Sequence, residues 1–157
     1  MRLKGILTFR EQKAQVAIEY ILIVGLLLSM ILIVFPYALK ENELNKALAA
    51  ARDGAVYGAS LRGMGFRGSG VSETPQGIIK IQKIELVDTG SYNSLKEYRL
   101  EIYIMAPTEL QTSSISATVR NQALSYIYYA FNGNWPPSTV SRVNTNYYSF
   151  TAGSEWV

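Results

Sequence analysis

The sequence predicts an α+β fold: a long N-terminal α-helix followed by a small antiparallel β-rich head. Three observations lead there. Residues 16–39 form an apolar run interrupted by a single charge, Glu19. Residues 40–62 continue with apolar and small residues at three- and four-residue steps, the period of one helix face. Residues 96–106 then alternate, with Tyr98, Leu100, Ile102 and Ile104 on one side and Arg99, Glu101, Tyr103 and Met105 on the other. That is the period of a half-buried strand.

The totals limit the chemistry. The 157 residues include no cysteine and no histidine. Disulfides, thiolate metal sites, cysteine nucleophiles and histidine general catalysis are thereby excluded. With the long helix set aside, roughly 90 residues remain, enough for one small core. The formal charge is +3, and all of it lies in residues 1–14, where Arg2, Lys4, Arg10 and Lys13 face one acid, Glu11. The remainder balances, so the basic pI indicates no nucleic-acid partner. No paired carboxylates or activated nucleophile mark an active site, and no cofactor or metal is expected.

Residues 1–14 read as a basic leader that holds its end in the cytoplasm. The apolar run would cover ~36 Å as a helix, more than the ~30 Å of a bilayer core. Phe35-Pro36-Tyr37-Ala38-Leu39 follows it, a poor match to the small residues of a secretory cleavage site. The run is therefore expected to stay on the mature chain. Glu19 is its exception: a carboxylate in an apolar zone either reaches back to the headgroups or has a task. Pro36 removes one backbone hydrogen bond, which kinks or locally melts the helix.

The second helical half carries two rows of small residues. Ala47, Ala51, Ala55 and Ala59 form one, and Ala50, Gly54 and Gly58 lie beside it. Such rows let helices approach closely, under the chain's own head or against a neighbouring subunit. Each glycine costs about 1 kcal/mol of helix propensity, which close contact would explain. The whole helix, residues 15–62, would be ~70 Å long. Residues 63–77, rich in glycine, read as a hinge.

In the head, residues 78–87 and 96–106 are the leading strands, with 88–94 as a hairpin loop. Residues 115–120, 124–131, 140–143 and 147–151 read as further short strands of an antiparallel sheet or sandwich. Trp156 and Val157 are expected to tuck back onto the body. The tyrosines Tyr126, Tyr128, Tyr129, Tyr147 and Tyr148 suit either sheet packing or a sticky outer face.

The stretch Lys13-Ala14-Gln15-Val16-Ala17-Ile18-Glu19-Tyr20 resembles the class III signal peptide of archaeal type IV pilin-like proteins. The resemblance covers about 25 residues, and the basic leader, glutamine, glutamate and apolar run occur in the family's order. Where the family often has glycine before the glutamine, this chain has Ala14, also small. The resemblance implies that a prepilin peptidase cuts between Ala14 and Gln15, making 1–14 a removed leader and Gln15 the new N terminus. It implies that Glu19 neutralises the amine of a neighbouring subunit in a filament. It further implies a structural homopolymer used for surface attachment, held in the membrane before assembly. An assembly ATPase and a membrane platform protein would then extract it. An archaeal flagellin would share this layout but generally lacks the glutamate. An uncleaved single-pass subunit of a cell-envelope complex is the other alternative, its leader never removed.

Overall fold

The computed structural model describes residues 3–66 and 77–157, with side chains described from residue 15 onward. The element order is α1 (Leu3–Gly63), β1 (Lys80–Tyr92), β2 (Leu95–Met105), a 3-10 turn (Thr108–Leu110), α2 (Ser113–Asn132), β3 (Val143–Asn144) and β4 (Tyr148–Trp156). The fold is α+β, a long N-terminal helix with a small mixed sheet. The chain divides into two compact units, Met1–Glu41 and Asn42–Val157. The second half of α1 therefore belongs to the same unit as the sheet, rather than to a separate stalk.

Within that second unit the core is one cluster. Ala47, Ala51, Ala55 and Ala59 of α1 meet Leu100, Ile102 and Ile104 of β2, Val119, Ala123 and Ile127 of α2, and Phe150 of β4. Alternation along β2 works as the sequence indicates: Leu100, Ile102 and Ile104 are fully buried, while Arg99 and Met105 face solvent. The outer face is wet and charged, with ion pairs Lys83–Glu85 at 2.9 Å and Arg99–Glu101 at 2.7 Å.

α1 ends in a glycine-capped turn. Gly65 adopts φ +83°, its N–H donates to the Arg62 carbonyl, and the Phe66 N–H donates to that of Leu61. This paired pattern satisfies carbonyls the helix leaves open, and only the residue without a Cβ takes the left-handed position readily. Of the expected hinge, residues 67–76 lie outside the described residues.

Two expectations for the head are corrected. Residues 115–120 and 124–131 are not strands but one helix, α2. Their β-branched and aromatic content suggests strands, yet Ile115, Val119, Ala123 and Ile127 recur every four residues and are all buried. Burial of that one stripe outweighs intrinsic propensity. Thr112 caps the start, accepting from the Ile115 N–H at 3.3 Å, and Gly133 closes the end at φ +74°. The second correction follows from the first. The strand order is β1-β2-β4-β3, and β2 pairs with β4 in parallel, so the sheet is mixed rather than antiparallel. A parallel pair needs a crossover long enough to return the chain, and α2 supplies it.

The hairpin is also longer than expected. Residues 88–92 continue β1, and the turn is only Asn93-Ser94, both at positive φ, 50° and 68°. That is the primed geometry that matches strand twist. The register slips between Asp88 and Gly90, leaving Thr89 as the extra residue of a bulge. Lys96 stands 2.9 Å from Asp88, and the Gly90 N–H donates to the same carboxylate at 3.0 Å. Trp156 tucks back as expected: it pairs with Ile104, half-buried against the core, and the Val157 N–H donates to the Ile104 carbonyl.

Two outcomes are expected. A Cβ on Gly54 would fall 2.9 Å from Ala123 Cα and closer still to the Gln122 carbonyl, all backbone of α2. Gly54→Ala should therefore destabilise the head by about 1–3 kcal/mol through overpacking, although alanine gains about 1 kcal/mol in helix propensity. A thermal melt of the full chain reads this, and an unchanged or higher Tm would refute the tight contact. Lys96, with the Gly90 N–H, holds the Asp88 carboxyl below its ordinary range. A depressed folded value stabilises the hairpin at pH above the unfolded Asp value of ~3.9, and that contribution fades as pH falls through the folded value. The Gly90 amide resonance should titrate with a midpoint below ~3.9; a midpoint at or above it contradicts the pairing.

Candidate assembly surface

The apolar half of α1 is described by itself. Its most apolar 18-residue window has mean hydropathy 2.7 and buries nothing, so this helix is long and apolar enough to cross a membrane. Side chains on every side of the helix are uncovered: Ile21, Leu22, Ile23, Leu26, Ile31 and Leu32 point in all directions and each is more than half exposed. A globular protein leaves no such cylinder open to water, since burying each large aliphatic side chain is worth about 1.5–3 kcal/mol.

Ser29 and the Gln15–Glu19 pair in this half have local hydrogen-bond partners. Ser29 donates its hydroxyl to the Gly25 carbonyl one turn earlier at 2.8 Å, so it adds no unmet polarity to the apolar surface. The Gln15 side-chain amide donates to the Glu19 carboxylate at 3.1 Å, one turn away on the same exposed face. Of the predicted cleavage set, Gln15 is thus placed beside Glu19, whereas the side chains of Lys13 and Ala14 lie outside the described residues. The backbone stays helical through Pro36, so local melting there is no part of this conformation. Pro36 still lacks the N–H that would bond the Leu32 carbonyl. Beside it, Met30, Ile31, Val34, Phe35 and Ala38 form a shallow apolar groove.

The two small-residue rows are used inside the second unit. Ala47, Ala51, Ala55 and Ala59 are at most 2% exposed, and Ala50 is half-buried at the edge of the same core. Gly54 and Gly58 let α2 approach: their Cβ positions would meet Ala123 Cα at 2.9 Å and Val119 Cα at 3.1 Å. Of the two uses that the spacing allows, packing under the chain's own head is the one observed.

Glu43 carries no sequence signal, because Lys40-Glu41-Asn42-Glu43 reads as an ordinary polar helix surface. It is nevertheless buried, 7% exposed. Its carboxylate accepts from the Thr145 hydroxyl and from the Tyr147 N–H at 3.0 Å. Thr145 also accepts from the Tyr148 N–H at 3.3 Å. One helix carboxylate thus organises the turn between β3 and β4 at the end of the unit where α1 enters it. The clue available beforehand is weak: Thr145 and Asn146 precede a strand and need a partner for the turn they form.

Comparison with family models, curated proteins and solved structures gives no match.

Glu43→Ala should lower head stability by about 1–3 kcal/mol, since it removes the acceptor of the Tyr147 N–H and leaves the Thr145 hydroxyl only the Tyr148 carbonyl. Glu43→Gln keeps one acceptor oxygen and should lose less. Thermal unfolding of both variants checks the order; equal melts for Glu43→Ala and the parent chain would show that the carboxylate is not needed.

Proposed function

We propose that this chain is a structural, non-enzymatic subunit of an extracellular filament of the archaeal type IV pilus kind, held in the cytoplasmic membrane until it is assembled. The observation that carries the reading is the order of residues around Gln15. A basic leader, a small residue, Gln15 and then Glu19 stand at the head of a helix whose apolar side chains are bare all round. Cleavage after Ala14 creates an α-amino group that is protonated at neutral pH. Inside a bundle of apolar helices that charge requires a partner, and Glu19 is the acid within the run of residues 16–39. Glu19 of one subunit pairs with the Gln15 amine of the next, which also sets the axial register. Leaving lipid for a helix bundle gains far less than leaving water, so assembly draws on an ATPase and a membrane platform. Filaments built this way carry the heads outward and serve surface attachment.

A second reading has an observation of its own. The Gln15 side chain already satisfies Glu19 within one uncut helix, as a permanent single-pass anchor of an envelope complex would require.

One experiment separates them. Mass spectrometry and N-terminal sequencing of the chain from an archaeal host with its own peptidase should find a mature chain starting at Gln15. In the same host Glu19→Ala should be cut normally yet give few or no filaments by electron microscopy. A chain that still begins at Met1 selects the anchor, and normal filaments from Glu19→Ala remove the pairing role.

A further inference from the structure

On the head, α2 and the loop after it enclose an open groove of about 380 Å³. Asn121, Gln122 and Ser125 line it from α2, and Trp135, Pro136 and Ser138 from the loop. No charged residue lines it. Its size falls within the range of about 300–1,000 Å³ usual for small-ligand sites.

We infer that this groove binds a neutral oligosaccharide. Three features of its lining point to that class. First, Trp135 is 53% exposed, a large aromatic surface left open to water. The indole does not wave free: it stacks on Tyr129 with centroids 4.7 Å apart and 19° between planes, and meets Tyr126 edge-on at 5.1 Å. Tyr126 in turn contacts Tyr57 of α1 at 5.7 Å. The ring is thus fixed before any ligand arrives, which spares the ordering entropy of binding. The apolar C–H face of a pyranose fits such a flat ring.

Second, the polar lining is of one kind. Asn and Gln amides and serine hydroxyls each both donate and accept, which matches sugar hydroxyls, themselves donors and acceptors. The side chains of Asn121, Gln122, Ser125 and Ser138 have no hydrogen-bond partner among the described residues, so their capacity is available. Third, Gln122 is held in place from behind. Its Cβ and Cγ lie 3.2 Å from where a Gly58 Cβ would stand, so the tight α1–α2 contact anchors its stem. Nucleotides and acidic glycans would bring charge that no lining residue meets. An open groove, rather than a closed pocket, suits a chain of sugar units. The inference rests on the head alone and does not depend on cleavage or polymerisation.

The test uses the full chain in a detergent without a sugar headgroup, such as lauryldimethylamine oxide. Maltotetraose, cellotetraose, chitotetraose and mannotetraose are titrated, with adenosine as an aromatic control. At least one tetrasaccharide should shift the tryptophan fluorescence and bind by calorimetry with a Kd of roughly 0.1–1 mM. Trp135→Ala should weaken that binding at least about tenfold, and Trp135→Phe less. Asn121→Ala, on an accessible helix face, should weaken it several-fold with an unchanged melt, which guards against a misfolded Trp135 variant. Three results would overturn the inference: no tetrasaccharide binding up to ~10 mM, about ten- to a hundredfold above the expected Kd; binding that survives both substitutions; or binding of adenosine in place of sugar.

Discussion

The head depends on how closely α1 and α2 can approach. Helices with ordinary side chains at the contact stand about 8–10 Å apart. Here the facing positions are Gly54 and Gly58 on one side and Val119, Gln122 and Ala123 on the other, so backbone nearly touches backbone. The neighbouring alanine row, Ala47 to Ala59, lies fully under the sheet. Small residues bury little apolar area each, and their contribution is geometric. They bring Ile127, Val119, Leu100, Ile102 and Phe150 into one core from three directions. Without that approach β2, β4 and α2 would enclose a void, and voids in cores are destabilising in proportion to their volume.

This contact also explains why one helix can serve two environments. Within residues 42–63 the fully buried apolar side chains of α1 are alanines, with Leu44 and Leu48 partly buried beside them. The large aliphatic residues are concentrated before residue 40, and within that unit their side chains are exposed. The sequence separates the two kinds of apolar residue along one element: close-packing residues where the partner belongs to the same chain, bulky ones in the half that is long and apolar enough to cross a membrane. A membrane anchor requires only the bulky half.

Much of this was legible beforehand. The apolar run, the helical period after it and the alternation of β2 each follow from spacing, and spacing reflects burial directly. The α2 segment reads as strands because its residues are strand-like in kind: Ile115, Val119, Tyr126, Ile127 and Tyr128 all favour sheets in isolation. Their four-residue spacing, the Thr112 cap and Gly133 carried the opposite message. Once α2 is a helix, the chain must return before β4 forms, so the parallel β2–β4 pairing follows from topology. Glu43 was illegible for a different reason. A carboxylate on a polar stretch looks the same whether it meets water or a turn more than a hundred residues away in sequence, and only the tertiary structure distinguishes the two.

Two of the carboxylates of α1, Glu43 and Glu19, make that point for function as well. Glu43 has neutral donors, a hydroxyl and a backbone N–H, supplied by its own chain. Glu19 stands among aliphatic side chains with one amide donor, from Gln15. In water that is ample. In a low-dielectric surrounding, a lone amide leaves an ionised carboxylate largely uncompensated, because desolvation costs several kcal/mol per ion and a neutral donor returns only part of it. In the filament proposed above, the amine that cleavage would create at Gln15 of a neighbouring subunit would be the cation that the lone amide does not replace.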